Sequence, residues 1–266
     1  MKAPLHRLAG ALQATKGPVL VITGAGISLA SGIPTFRGAD AGAVWKRDIT
    51  ELGTMRYFCE EPEGSWSWYL ARFDKVIGAA PNPGHVALVE LERWCERRAT
   101  RFLLVTQNID GLHRDAGAKA LVEVHGSAHR VRCATVGCEH GAPRGWLERA
   151  SVDLDAFRAN PTREAVPRCP SCGSFLRQHV LWFDEYYQSH EDYQWNRVME
   201  AVADCELLLF VGTSFSVGVT DHALSEARGR GVPVFNLDPS GQAIRGVELI
   251  AEPSEVALPE LAAALS

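Results

Sequence analysis

The 266-residue chain has no apolar run approaching the roughly 18 residues of a membrane span, which argues against a membrane partner. It has no excess of positive charge either. Its 27 Lys and Arg stand against 32 Asp and Glu, a net charge of -5, so the electrostatic footprint of a nucleic-acid binder is missing. Internal repeats and low-complexity tails are absent. A secreted disulfide framework is disfavoured, because the seven cysteines are odd in number and four of them form two close pairs. Cys59, Cys95 and Cys205 stand singly among apolar neighbours and read as core thiols. Met1 to Ala14 lacks the apolar core of a signal peptide, while Leu5, Leu8, Ala9 and Leu12 recur at helical spacing. That spacing predicts a docking helix in a cytoplasmic protein. The length suits one large domain, or one with a small insert.

The most informative stretch is Thr23-Gly-Ala-Gly-Ile-Ser28, continuing through Gly32-Ile-Pro-Thr-Phe-Arg-Gly38, directly after the apolar run Pro18 to Ile22. Glycines at a strand end let the backbone approach a ligand, and N–H groups with a helix starting near Ser28 can face a pyrophosphate. A strand-to-helix turn without any ligand explains the two glycines alone equally well. Leu29 holds the place of the third glycine of G-x-G-x-x-G, and no acidic ribose partner follows about 20 residues on. The ordinary dehydrogenase fingerprint is therefore broken.

Apolar runs rich in β-branched residues recur at Val19 to Thr23, Phe102 to Thr106, Leu121 to Val124, Leu207 to Gly212, Val232 to Leu237 and Val247 to Ala251. Continuous rather than alternating hydrophobicity predicts strands covered on both faces, hence a parallel sheet in an α/β fold. Helical patterns lie between, at His85 to Arg97 and Trp195 to Ala203. Functional loops should gather at the carboxyl ends of such strands. Gly24 to Ser28, Gln107 to His113, His125, Gly212 to Ser214 and Asn236 all fall at or near such ends. Two segments break the pattern. Gly38 to Pro83 reads as a loop followed by a helical module, and Arg130 to Gln178 carries the paired cysteines with little helical or strand period.

Cys133-x4-Cys138 and Cys169-x2-Cys172 can each form a knuckle and together offer four thiolates to a tetrahedral Zn2+. Four sulfur ligands leave no position for water, so the metal should be structural. His129 and His140 are near enough in sequence to stand in for a cysteine. Thr106-Gln-Asn-Ile-Asp-Gly-Leu-His113 places two amides and a carboxylate after a buried strand, and Val124-His-Gly-Ser127 adds a histidine. A histidine can take a proton from a sugar hydroxyl, and Asn and Asp can hold a ribose and a carboxamide. His125 taken alone fits a satisfied histidine at a strand end as well.

Together G-A-G-I-S, G-I-P-T-F-R-G, T-Q-N-I-D-G-L-H, H-G-S, the cysteine pairs, W-F-D-E, G-T-S and F-N-L-D resemble the sirtuin family, in the family's order, from about residue 10 to 240. The resemblance implies an NAD-dependent protein-lysine deacylase of inverted-Rossmann type. Its NAD-binding domain would comprise 1–37, 84–129 and 179–266, its cofactor loop and helical module 38–83, and its zinc module 130–178. By matching position, Gly24, Ala25, Gly26, Gly212, Thr213, Ser214 and Asn236 would line the NAD phosphates and adenosine. Phe36 and Arg37 would close over the nicotinamide ribose, and Gln107, Asn108 and Asp110 would contact the nicotinamide side. Asn108 and His125 would be catalytic, with His125 the general base. The implied products are nicotinamide, O-acyl-ADP-ribose and free lysine.

Tyr69 and Arg72 resemble the Tyr-x-x-Arg pair by which desuccinylating and demalonylating members hold an acidic acyl chain. Positions three apart share a helix face, although an aromatic face with Arg72 solvated gives the same pattern. Leu181, Phe183 and Val217 would neighbour the peptide. Asp184 replaces the family's glycine and Gln178 its proline, which bears on the peptide grip. A protein mono-ADP-ribosyltransferase and a non-catalytic NAD sensor are the alternatives on the same scaffold.

Overall fold

The computed structural model describes residues 1–34, 49–215, 218–241 and 243–266. Its strands are β1 (Val19–Thr23), β2 (Phe102–Thr106), β3 (Leu121–Glu123), β4 (Gly126–Cys133), β5 (Leu147–Glu148), β6 (Leu176–Val180), β7 (Leu207–Val211), β8 (Val234–Leu237) and β9 (Glu248–Ile250). The helices are α1 (Ala3–Ala14), α2 (Ile49–Leu52), α3 (Met55–Glu60), α4 (Pro62–Ile77), α5 (Pro83–Arg97), α6 (Leu112–Asp115), α7 (Asp155–Ala159), α8 (Trp195–Asp204), α9 (Gly218–Arg230) and α10 (Ser254–Leu265).

Six strands form one sheet in the order β3-β2-β1-β7-β8-β9, every pairing parallel. Every residue of β1 and β7 is buried, as continuous apolar runs require when helices cover both faces. Alternate side chains feed two cores. Val19, Val21, Leu207 and Leu209 meet α1, α5 and α10 on one face. Leu20, Ile22, Leu208 and Phe210 meet α8 and α9 on the other. α1 buries Leu5, Leu8, Ala9 and Leu12, the stripe its sequence spacing predicts. β1 lies centrally between β2 and β7, and the chain order switches direction there, so the carboxyl ends of β1, β2 and β7 open a crevice.

The expectation of little strand period between Arg130 and Gln178 is corrected by a three-stranded antiparallel sheet in the order β5-β4-β6. It packs on α4 through Trp66, Tyr69, Val131, Leu176 and Val180. The Trp66 indole N–H donates to the Leu176 carbonyl at 2.8 Å and so pins helix to sheet. No helix among the described residues is long and apolar enough to cross a membrane.

Candidate functional site at the crevice

After β1 the chain enters a 3-10 helix at Ala25, running to Ser31, rather than a helix starting near Ser28. The two glycines act differently from their sequence reading. The Gly24 N–H donates to the Val211 carbonyl at 3.0 Å and the Gly26 N–H to the Gly212 carbonyl at 2.9 Å, so neither is open to a phosphate. A Cβ on Gly26 would stand 2.6 Å from the Gly212 Cα, and one on Gly24 2.7 Å from its carbonyl oxygen. Glycine is required here because two loops press together. The same contact sets Gly212 itself, at φ 59°.

That contact brings the ends of β1, β2 and β7 into one polar lattice. The Gln107 side-chain amide donates to the Thr23 carbonyl at 3.2 Å and to the Thr213 hydroxyl at 3.1 Å. The Asn108 amide donates to the Gly24 carbonyl and the Ser28 hydroxyl, each at 3.1 Å. Ser28 donates to the Asp110 carboxylate at 2.7 Å, and the other carboxylate oxygen accepts the Leu112 N–H at 3.0 Å. Burial raises the Asp110 carboxyl above its ordinary value, against the hydrogen bonds from Leu112 and Ser28. Ser28 is fully buried at the centre of this lattice. Sequence reasoning quoted it within G-A-G-I-S but gave it no role.

His125 follows β3, and its Nδ1 lies 2.9 Å from the Gln107 carbonyl. A carbonyl only accepts, so Nδ1 carries the proton and Nε2 of the neutral ring is an acceptor. Burial pushes the imidazole down to about 4, against the Gln107 hydrogen bond. The ring is a neutral base at physiological pH. The His125 carbonyl accepts the Leu181 N–H at 2.9 Å, which ties the base to the segment after β6.

Asn236 ends up buried on β8 with its Oδ1 lacking a partner among the described residues, a free acceptor at the carboxyl end of the sheet. Thr213 is buried and Ser214 exposed. Phe36, Arg37 and Val217 lie outside the described residues. Leu181 is half-buried and Phe183 exposed. The Asp184 carboxylate accepts the Met55 and Arg56 N–H groups at 2.8 and 3.1 Å, so this departure from the family glycine serves as a cap on α3. Tyr69 is buried, stacked on Trp182 with ring centroids 6.2 Å apart, and burial raises its phenol far above the ordinary range. The Arg72 guanidinium lies 4.1 Å from the Trp68 ring centre and donates to the Trp68 carbonyl.

The sulfur atoms of Cys133, Cys138, Cys169 and Cys172 all lie within 4.8 Å of one another, a donor set that fits tetrahedral zinc. His129 is turned elsewhere, its Nε2 donating to the Asp110 carbonyl at 2.9 Å. Neither His129 nor His140 belongs to the cluster.

Residues 24–219 match the model of the Sir2 family. The chain belongs to the Sir2 family. An NAD-dependent protein deacylase of Thermus thermophilus is 44% identical over 200 residues, covering 75% of this chain and 70% of that one. The mitochondrial NAD-dependent protein deacylase sirtuin-5 of Canis lupus familiaris is 36% identical over 83% of this chain and 73% of its own. Among solved structures, a Sir2 homologue bound to ADP-ribose superposes with a TM-score of 0.81 at 29% identity, covering all of this sirtuin and 96% of that chain. A Sir2 homologue in complex with NAD gives a TM-score of 0.78 at 31% identity over 98% and 93% of the two chains.

Proposed function

We propose that this sirtuin is an NAD-dependent protein-lysine deacylase in which His125 is the general base, acting on acidic as well as acetyl groups. Family membership and the deacylase relatives supply the reaction class. The observation that carries the residue assignment is the neutral, Nδ1-protonated His125 beside the lattice of Gln107, Asn108, Ser28 and Asp110.

The residues fit NAD on two grounds. Asn236 offers a buried acceptor with no partner among the described residues, and the polar lattice lies at the carboxyl ends of parallel strands, where such a ligand binds. Ala25, Gly212, Thr213, Ser214 and Asn236 would line its phosphates and adenosine, with Gly24 and Gly26 shaping that wall through their contact with Gly212 and with Phe36 and Arg37 nearer the nicotinamide ribose. When bound, NAD supplies the glycosidic carbon that the acyl oxygen attacks as nicotinamide leaves. Asp110 would orient the carboxamide, and Asn108 the ribose hydroxyls and the attacking water. His125 Nε2 would accept the ribose hydroxyl proton, as its unprotonated state allows. The lattice presents fixed dipoles, which would favour a charge-separated transition state. Zinc on the four cysteines would hold the small antiparallel sheet and take no part in bond changes. The chain would divide functionally into 1–37, 84–129 and 179–266 for the cofactor, 38–83 for the loop and helical module, and 130–178 for zinc.

Leu181, Phe183 and Val217 would neighbour the acyl-lysine peptide. Acidic acyl groups are assigned to Tyr69 and Arg72, one helical turn apart on α4, where a phenol and a guanidinium suit a carboxylate. Mass spectrometry of products from acetyl-, malonyl- and succinyl-lysine peptides with NAD tests this. Arg72→Met should lose at least tenfold on succinyl-lysine and little on acetyl-lysine. Equal succinyl activity in the variant contradicts the assignment.

A further inference from the structure

Tyr187 reaches the same histidine from another part of the chain. Its hydroxyl lies 3.2 Å from His125 Nε2, and the two rings are nearly parallel at 23°, their centroids 5.8 Å apart. Because Nδ1 donates to the Gln107 carbonyl, Nε2 can only accept, so the phenol must be the donor. The phenol is itself held in place. Its ring stacks on Trp195 of α8 at 4.0 Å and 10°, and the half-buried side chain packs with the apolar core between α8, α9 and the sheet. Burial raises its ionisation above the usual value, against the backbone N–H of Val219 at the start of α9, so the hydroxyl keeps its proton. Among the described residues, the polar groups facing His125 are one carbonyl and one phenol, and no charged side chain contributes to its ionisation.

We propose that Tyr187 is a positioning residue for the base, its hydroxyl occupying the Nε2 site that a ribose hydroxyl takes during reaction, and holding the ring neutral and in plane until then. This rests on the deacylase reading of the site. The contact is long for an O–H donor, which suits a partner that is exchanged. A donor at Nε2 stabilises the neutral imidazole and opposes its protonation. Removing the hydroxyl should therefore raise the His125 pKa. The His125 ring is half-buried, and a phenylalanine at 187 keeps the ring that stacks on it, so the lost donor is the dominant change.

The test compares wild type, Tyr187→Phe, which keeps the stack on Trp195, and Tyr187→Leu, which loses both stack and hydroxyl. Histidine ring NMR on the ligand-free enzyme, with His125→Asn for assignment, follows the titration directly. In parallel, kcat/KM is measured from pH 3.5 to 9 with an acetyl-lysine peptide and NAD. In Tyr187→Phe the His125 midpoint should rise by about one pH unit. The acid limb of kcat/KM should move by the same amount, a loss of about tenfold below it, with KM for the peptide unchanged. A purely packing role predicts a Phe variant that titrates and turns over like wild type while only the Leu variant suffers, and that result overturns the proposal. If wild type releases no nicotinamide, the deacylase reading fails, while the NMR midpoint still decides the role of Tyr187.

Discussion

The crevice of the parallel sheet and the small antiparallel sheet bury polar groups in opposite ways. At the crevice the buried side chains are chiefly uncharged: Thr23, Ser28, Asn108, His113 and His85 form hydrogen bonds among themselves and to backbone. The small sheet buries ions beside the uncharged Gln178 and His179. Arg177 and Arg132, both almost fully buried, converge on Glu185 at 2.7 Å, and Arg177 also lies 3.3 Å from the centre of the Trp182 ring. Neutral walls suit a site that must receive a charged ligand and develop charge during reaction. Paired ions suit a part that has only to hold its shape, because removing one partner is severely penalised.

The largest test of this contrast is Glu185→Ala. It strands two buried guanidiniums and should cost about 3–5 kcal/mol in denaturant unfolding. A loss under 1 kcal/mol would mean the network contributes nothing to holding the fold.

A smaller effect separates the regions by pH. Burial pushes His85 down to about 4 and His113 well below its ordinary value, and His125 also to about 4. These rings take up protons on unfolding, so stability is full above about pH 6.5 and falls as pH drops toward 4. The slope approaches about 1.4 kcal/mol per pH unit for each ring. Glu185 behaves differently. Burial raises its carboxyl, but Arg177 and Arg132 overcome that and hold it below the usual carboxylate value. Its contribution persists until pH falls through that depressed value. Between pH 6.5 and 5, His85→Gln should flatten the stability slope while Glu185→Gln leaves it unchanged. An unaltered slope in His85→Gln contradicts the neutral-lattice account.

The smallest effect is at Asp184. Asp184→Ala removes the acceptor of two first-turn N–H groups of α3, leaves the Thr54 cap in place, and should cost about 1 kcal/mol in thermal or denaturant unfolding. No change would show that the two N–H groups find water instead.

The same contrast explains what the sequence reveals. Val19–Thr23 and Phe102–Thr106 are strands over the full expected ranges, because burial on both faces writes itself as an unbroken apolar run. The other four expected parallel strands are shorter by one or two residues, where pairing ends before hydrophobicity does. β6 reads Leu-Arg-Gln-His-Val and is buried throughout, so its ion pairs and polar burial erase the pattern that would mark a strand. The metal cluster was legible because knuckle spacing is local. Ser28 and Tyr187 were not assigned roles, since each acts through a neighbour distant in sequence, Asp110 and His125 respectively. The need for glycine at 24 and 26 was not legible, since only the fold shows Gly212 pressed against them and their N–H groups bound to the carbonyls of Val211 and Gly212.

On the proposed reading, this sirtuin cleaves NAD in concert with an acyl-lysine, with His125 as the base. Nicotinamide release, measured with and without an acetyl-lysine peptide for wild type and His125→Ala, tests it most directly. Release should depend on the peptide, yield O-acyl-ADP-ribose, and fall by at least a hundredfold in His125→Ala. Peptide-independent release with ADP-ribose appearing on protein, or full activity without His125, would contradict it.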